Sequence, residues 1–585
     1  MGLLSRWADT FKPADQGCNR DIPSADVESA YEASFTSDKA EVQNEDYNYK
    51  NATTETKNMN DIENDTSCES NLKRKLDNRH IQFIALGGGI GTGLFIGSGP
   101  QLALGGPLTL VIGYIIVGIF LICMVFSLGE LASVLPVSGA FSKYASRFID
   151  PAWGFAMGWN YYLQWLIVMP LEFVAAAMVI QFWDPEQKGT PGVWLIIFWI
   201  VISTINLIGV RGYAEFEFAA TLIKVMTVTG LIIALIVIDC GGSPSNKYLG
   251  AGTYHNPGAT KNYFKGFCSV FTGVAFAFAG TELVGLAAAE TKQPRKVLPR
   301  ACKQVIFRIT MFYLVSLFLV GLVVPHDDAR LSNGSNSYDP STSPFVIALE
   351  IGKIKILAHI VNAVIILSTL SVANSSVFAS SRTLLALAEQ GFAPKCFTYV
   401  DRCGRPLPAA ILSLLFGLLS FLIYSSNEGT VFSWLLQISG LSALFAWGSI
   451  CACHIRFRAA WIRQGNNIHA LPWTSPLGTY GSVFGFVLAL IILVACIYVS
   501  AFPINEASLS SRDRAKTFFN GMISLIIVAF TFMLYKFFAR TKFVHLDEMD
   551  VTTGRREIDS EEIFEQERAE SHARPLWKKV LSSIF

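Results

Sequence analysis

Residues 81–100 read IQFIALGGGIGTGLFIGSGP, an apolar run of membrane-spanning length with glycine at positions 87, 88, 89, 91, 93, 97 and 99. A matching run, FTGVAFAFAGTELVGLAAAE, occupies residues 271–290 and holds Gly273, Gly280, Gly285 and an acid, Glu282, at mid-depth. Glycine weakens a helix and exposes its backbone. Unwound backbone at membrane depth survives only where protein or a wet cavity surrounds it. Two interrupted helices at corresponding places in two halves of a chain point to the substrate site of a transporter. The two stretches therefore predict movement of a small solute across a membrane. Glycines that merely let helices approach closely, as in GxxxG pairs, account for one such run more easily than for two.

Composition agrees with this. The chain has 585 residues, 52% hydrophobic and 16% charged, well below the share of about a quarter charged that soluble domains carry. A net charge of +1 offers no basic surface for nucleic acid. The eleven cysteines include no CxxC pair, so neither a zinc site nor a redox motif is expected. No G-x-x-x-x-G-K-S/T loop is present, which leaves ATP drive unsupported, and no catalytic constellation suggests an enzyme. A channel is disfavoured, because no repeated pore loop or ring of like charge occurs.

Apolar length predicts twelve spans near 81–100, 108–133, 152–183, 193–210, 217–239, 266–288, 305–325, 355–381, 408–424, 431–455, 480–502 and 517–538. Basic residues cluster in alternate loops, among them Lys143, Arg147, Arg211, Arg300, Arg402, Arg405, Arg456 and Arg463. All of these face the cytoplasm if both termini do. Residues 1–78 are polar and acidic with few large apolar groups and read as a disordered cytoplasmic tail. The transporter domain is then 79–540, followed by a cytoplasmic tail over 541–585.

The strings ALGGGIGTGLFIGSG, FAFAGTELVGLAAAE with its sequel TKQPRKVLPRA, SVANSSVFASSR, GELASVLPVSGAF, GFAPKCFTYVDRCGRP and HIRFR form a specific set. Together they resemble the yeast-type amino-acid transporter family of the amino acid–polyamine–organocation superfamily, and within it the fungal general amino-acid permeases. The resemblance covers about residues 72–545. It implies an all-α, LeuT-like fold of twelve transmembrane helices, with spans 1–5 and 6–10 as inverted repeats, two appended helices, and spans 1 and 6 discontinuous. It also implies proton-driven amino-acid uptake at the plasma membrane. The expected working is alternating access with no cofactor beyond the proton gradient, and the neutral, aromatic-flanked site reads as broad in substrate range.

A zwitterion needs donors for its carboxylate and acceptors for its ammonium, and broken helices supply both as partial charges. The first break is expected at Ile90, Gly91, Thr92 and Gly93, whose N–H groups and hydroxyl would take the carboxylate. Carbonyls of Phe276, Ala277 and Ala279 would take the ammonium, and Glu172 is a candidate for the cavity wall. The family pattern gives these positions the same roles and makes Phe276 a lid over bound substrate, with Phe278 a second gate candidate. Ionisable groups inside a membrane are functional candidates by default. Lys224, placed about a third of the way into span 5, is the expected proton site; in proton-coupled relatives such a lysine substitutes for a sodium ion between spans 1 and 8. The alternative is a lysine snorkelling to the inner face. Glu282 is a candidate for coupling or gating, or for a structural bond to the broken backbone. Glu130 is expected to pair with arginines, and His454 to lie at the inner boundary. Asn374, Ser375 and Ser376 are expected to face the first break or to tie helices together.

In the tails, Lys12, Lys39 and Lys50 match the lysines that serve as ubiquitin acceptors in related fungal permeases, which implies ubiquitin-ligase machinery as a partner. Asn333 is a glycosylation sequon in an outer loop. Residues 572–585, HARPLWKKVLSSIF, read as a short amphipathic helix. A nutrient receptor of the same fold, with little or no transport, is the second functional reading.

Overall fold

The computed structural model describes residues 78–137, 139–183, 191–287, 294–331, 343–424, 428–468, 471–504, 506 and 509–553. The expectations for residues 1–77, with Lys12, Lys39 and Lys50, for Asn333 and for 572–585 fall outside them. Among the described residues there is no β-strand. Among the described residues eleven helical stretches are long and apolar enough to cross a membrane, and a bent pair makes a twelfth span.

Span 1 is 82–105, interrupted. Spans 2 to 5 are Pro107–Val134, Pro151–Ile180, Pro191–Ile208 and Val210–Asp239. Spans 6 to 8 are Tyr263–Leu286, which holds the second break, then Leu298–Val323 and Lys355–Glu389. Spans 9 to 12 are Leu407–Tyr424, Val431–Arg463, Gly478–Ala501 and Ser511–Ala539. Several starts follow from local chemistry. Proline stands at the first position of spans 2 and 3, where its missing N–H costs nothing. Asp150 caps span 3 by accepting from the Ala152 amide at 2.8 Å.

Burial sorts the spans into an inner and an outer set. The most apolar stretch of span 3 is 83% buried, whereas that of span 12 is 17% buried and leaves Phe530, Phe537 and Phe538 for lipid. By this measure spans 3, 6 and 10 are the most buried, and spans 4, 9, 11 and 12 the least.

The bounds of spans 5, 8 and 10 need correction. Span 5 begins at Val210, not near 217. Arg211, Glu215 and Glu217 made its first two turns look like a loop, yet Tyr213, Ala214, Glu217, Thr221 and Lys224 form one buried stripe at helical spacing. Lys224 is therefore at the middle of the helix rather than a third of the way in. Span 8 runs on to Glu389 because Arg382 is buried with its guanidinium 3.7 Å over the Phe378 ring. Span 10 runs on to Arg463, beyond the expected 455, and Arg458 in that extension is buried against Glu130 at 2.5 Å. Span 9, the run of marginal length, keeps its expected bounds and is α-helical to Phe416 and 3₁₀-helical over Gly417–Tyr424.

A short helix, Ala140–Phe148, joins spans 2 and 3 at the end of the bundle that carries both described termini. The chain beyond span 12 returns to it. The Val544 amide donates to the Ile149 carbonyl at 3.0 Å, Arg147 pairs with Asp550 at 2.6 Å, and Met549 and Val551 are buried. Residues 541–553 thus form a strap across that end.

Candidate substrate site at two facing helix breaks

Helix in span 1 stops at Gly87 and resumes at Thr92, with Gly91 extended between them. A second interruption at Ile96 and Gly97 bends the span by 53°. In span 6 the helix Phe271–Phe278 ends, Ala279 turns extended, and Gly280 takes φ +94°, a conformation that favours glycine. Helix resumes at Leu283. Both breaks fall where the glycine pattern placed them.

The two breaks lie against each other. A Cβ on Gly93 would fall 2.3 Å from the Ala277 Cα, and one on Gly89 would fall 2.8 Å from the Ala279 carbonyl oxygen. The glycines allow unwound main chain to meet unwound main chain. Ile90, Thr92, Phe276, Ala277 and Phe278 are all buried there.

Each half-helix end has its own chemistry. The last carbonyls of the first half of span 1 have no helical partner and carry partial negative charge. Two buried cations take them: Lys224 donates to the Gly87 carbonyl at 3.2 Å, and Arg308 to that of Ala85 at 2.9 Å. Arg308 also donates to the Thr281 hydroxyl, so one guanidinium touches both breaks. Tyr313 does the same with its hydroxyl, 2.9 Å from the Gly89 carbonyl and 3.0 Å from that of Ala277. Both residues come from span 7, at and within a π-helical stretch, Ile309–Val315.

The start of the second half of span 1 faces an acid. The Thr92 hydroxyl donates to Glu172 of span 3, and Glu172 Oε1 lies 3.8 Å from where a Gly91 Cβ would sit. Thr92 and Gly93 stand at the start of the resumed helix, where amides have no intrahelical acceptor. The Ile90 amide, expected to join them, instead donates to the Gly87 carbonyl at 3.0 Å, closing the end of the first half-helix. At the other break, both Glu282 oxygens face the Gly280 amide, at 3.1 and 3.3 Å, and Trp447 donates to Glu282 at 3.2 Å. Glu282 thus holds the turn that breaks its own span.

Of the three expected ammonium acceptors, the Phe276 carbonyl takes the Ala279 amide at 3.0 Å and the Ala277 carbonyl takes Tyr313. A carbonyl has two lone pairs, so each keeps one. Two residues apart on a helix, Phe276 and Phe278 point to nearly opposite sides. Phe276 lies beside Gly440 of span 10, and Phe278 stacks with Tyr114 and Tyr313 at centroid distances of 5.3 and 4.7 Å.

Of the two roles expected of the eighth-span polar run, Asn374 and Ser375 take that of tying helices together, while Ser376 donates to the Ala373 carbonyl of its own helix at 2.6 Å. Ser371 receives the Lys224 ammonium at 2.8 Å, Ser375 approaches Glu217, and Asn374 accepts from Asn206 of span 4 at 2.9 Å. Glu130 does pair with an arginine, Arg458 of span 10, at 2.5 Å. His454 is fully buried in the protein, 3.1 Å from Glu130 and 2.6 Å from the Ser482 hydroxyl.

The family model for amino acid permeases matches residues 80–548. The chain belongs to the amino acid permease family. The permease is 46% identical to the general amino-acid permease GAP1 of Saccharomyces cerevisiae, over 88% of this chain and 86% of that one. It is 48% identical to the general amino-acid permease GAP2 of Candida albicans, over 88% of each chain. A Schizosaccharomyces pombe protein named cationic amino acid transporter 1 is 44% identical over 88% of the permease and 86% of its own length. Among solved structures, a mutant of the Eremococcus coleocola manganese transporter superposes with a TM-score of 0.51 at 14% identity, covering 78% of the permease and 93% of that chain. That likeness concerns fold alone, and it agrees with the expected LeuT-like arrangement. The permease is a multi-pass membrane protein of a transporter family, not an enzyme.

Proposed function

We propose that the permease takes up a broad range of amino acids at the plasma membrane, driven by protons, through alternating access with both termini in the cytoplasm. The observation that carries this reading is the contact between the two breaks, with Lys224 seated on the end of the first half-helix. The amides of Gly91, Thr92 and Gly93 bind the substrate carboxylate, and the remaining lone pairs on Phe276, Ala277 and Ala279 bind its ammonium. Glu172 lines the same cavity. Phe276 closes over the substrate and Phe278 braces it from the aromatic stack.

Lys224 holds the Gly87 carbonyl as an ammonium and releases it as an amine, which ties protonation to the geometry of the first break. Glu282 steadies the second break through the cycle. Asn333 is an external glycosylation site, and Lys12, Lys39 and Lys50 in the amino tail accept ubiquitin from a ligase. The family relationship weighs against a receptor that binds without transporting.

Two measurements test the reading in cells that lack their own permeases. Competition of one labelled amino acid by the other nineteen, at pH 5 and pH 7.5, is expected to reveal broad inhibition and faster uptake at pH 5. Lys224→Ala is expected to keep exchange of internal for external amino acid while losing accumulation against a gradient. Accumulation undiminished in Lys224→Ala would remove the proton assignment, and ligand binding without any concentrative uptake would revive the receptor.

A further inference from the structure

Lys224 has a buried partner of opposite charge. Its Nζ lies 3.8 Å from Glu217 Oε1, and neither side chain is exposed to any degree. A hydroxyl bridges them: Lys224 donates to Ser371 Oγ at 2.8 Å, and Ser371 donates to Glu217 Oε2 at 2.5 Å. Glu217 lies two helical turns nearer than Lys224 to the end of the bundle that carries both described termini. Ser375 is 3.4 Å from Glu217 Oε2, and the Tyr213 hydroxyl is 3.4 Å from Ser375. Buried hydroxyls thus lead from Lys224 toward the end taken above as cytoplasmic. Glu217 Oε1 is buried without a hydrogen bond, a costly condition for a carboxylate oxygen unless a proton visits it. The other charged groups acting on Lys224 are Glu172 from span 3 and Arg308 from span 7. Neither is joined to it by a hydroxyl bridge among the described contacts.

We infer that Glu217 is the proton acceptor for Lys224 and the first station of its exit route. The step rests on the proton-coupled reading above. The Lys224 ammonium gives a proton to Ser371 Oγ while Ser371 passes its own hydroxyl proton to Glu217 Oε2. The products are a neutral amine and a neutral carboxylic acid, so the net charge of the pair is unchanged and two buried charges vanish together. That cancellation lowers the desolvation cost of the transfer. Lys224 then no longer presses a full charge on the Gly87 carbonyl, and the end of the first half-helix is released. Glu217 next hands its proton, by way of Ser375 and Tyr213, to water at the inner face and returns to the carboxylate. A fresh proton from the outer side recharges Lys224.

The test uses the full-length protein in liposomes with an inward proton gradient, supplied with an equimolar mixture of the twenty labelled amino acids. Glu217→Gln, nearly isosteric, is expected to lower accumulation at least tenfold and flatten its dependence on external pH, with exchange retained. Glu217→Asp should restore part of the accumulation. Ser371→Ala leaves both charges in place and is expected to slow accumulation and remove its solvent isotope effect. Native accumulation and pH profile in Glu217→Gln, beside a Lys224→Ala variant that has lost them, overturn the relay and leave the lysine assignment standing. Accumulation retained by Lys224→Ala overturns both. If Glu217→Gln loses exchange too, or fails to insert, Ser371→Ala decides: native behaviour there makes Glu217 purely structural.

Discussion

At Gly93 the backbone of span 1 has no room for a methyl group, because a Cβ would meet the Ala277 Cα at 2.3 Å, and main chain cannot step aside as a flexible side chain can. Gly93→Ala is therefore expected to reduce uptake at least tenfold with the protein still at the cell surface. Gly230→Ala, where nothing lies within 4 Å, should leave uptake unchanged. Flow cytometry of a surface tag beside labelled uptake separates the two. Tyr313→Phe removes the one hydroxyl shared by the Gly89 and Ala277 carbonyls. Leaving buried polar groups short of a partner costs about 1–3 kcal/mol. The variant should melt earlier in detergent and transport more slowly, as thermal-shift and uptake assays would report. The glycines and Glu282 were legible in the sequence because they lie within the breaks themselves. Arg308 and Tyr313 were not, since both act on carbonyls of another span more than 220 positions away. No spacing in one helix says which side chain of a distant one will reach it.

Elements show the same division between what a pattern reveals and what only packing decides. Apolar length located all twelve spans, and their ends were misjudged where charge is buried rather than solvated. Span 5 is the instructive case. A start near 217 would put Glu217 at the edge of the span, yet seven residues of helix precede it and its carboxyl group is sealed inside. The buried stripe at Tyr213, Glu217, Thr221 and Lys224 has helical spacing throughout, so the period was present and the charges hid it. At the second break, Gly280 sits at φ +94°, where an L side chain is strained. A Cβ there would also lie 3.0 Å from the Gly88 carbonyl oxygen and 3.2 Å from the Gly89 Cα. Gly280→Ala is expected to abolish substrate-dependent protection of span 6 from hydrogen exchange and to lower uptake at least tenfold. Native exchange kinetics in that variant would mean the break is not part of the site.

On the scale of the whole molecule, Asp150 gathers the bundle to its own chain end. It caps span 3, accepts from Thr541 at 2.6 Å, and pairs with Lys536 at the end of span 12. Burial by itself would push the Asp150 carboxyl upward. The Lys536 ammonium, the Thr541 hydroxyl and the Ala152 amide outweigh it and hold the group below its ordinary 3.8. A depressed carboxyl contributes stability above its unfolded pKa and loses it as the pH falls through the folded one. Thermal stability of the solubilised protein should thus decline below about pH 4, and Asp150→Asn should cost about 2 kcal/mol at neutral pH while blunting that decline. An acid-stability curve identical to the native one would disconnect Asp150 from the strap. The strap itself has a practical corollary. Arg147 binds the Thr553 carbonyl, Arg456 that of Val544, and Gln464 those of Leu546 and Met549. Shortening the protein at Ala539, where hydropathy says the membrane ends, would remove all of these acceptors at one stroke and leave Arg456 only the Phe148 carbonyl. For this permease the last lipid-facing residue is not the last one the fold requires, and a fluorescent fusion or affinity handle belongs beyond Thr553.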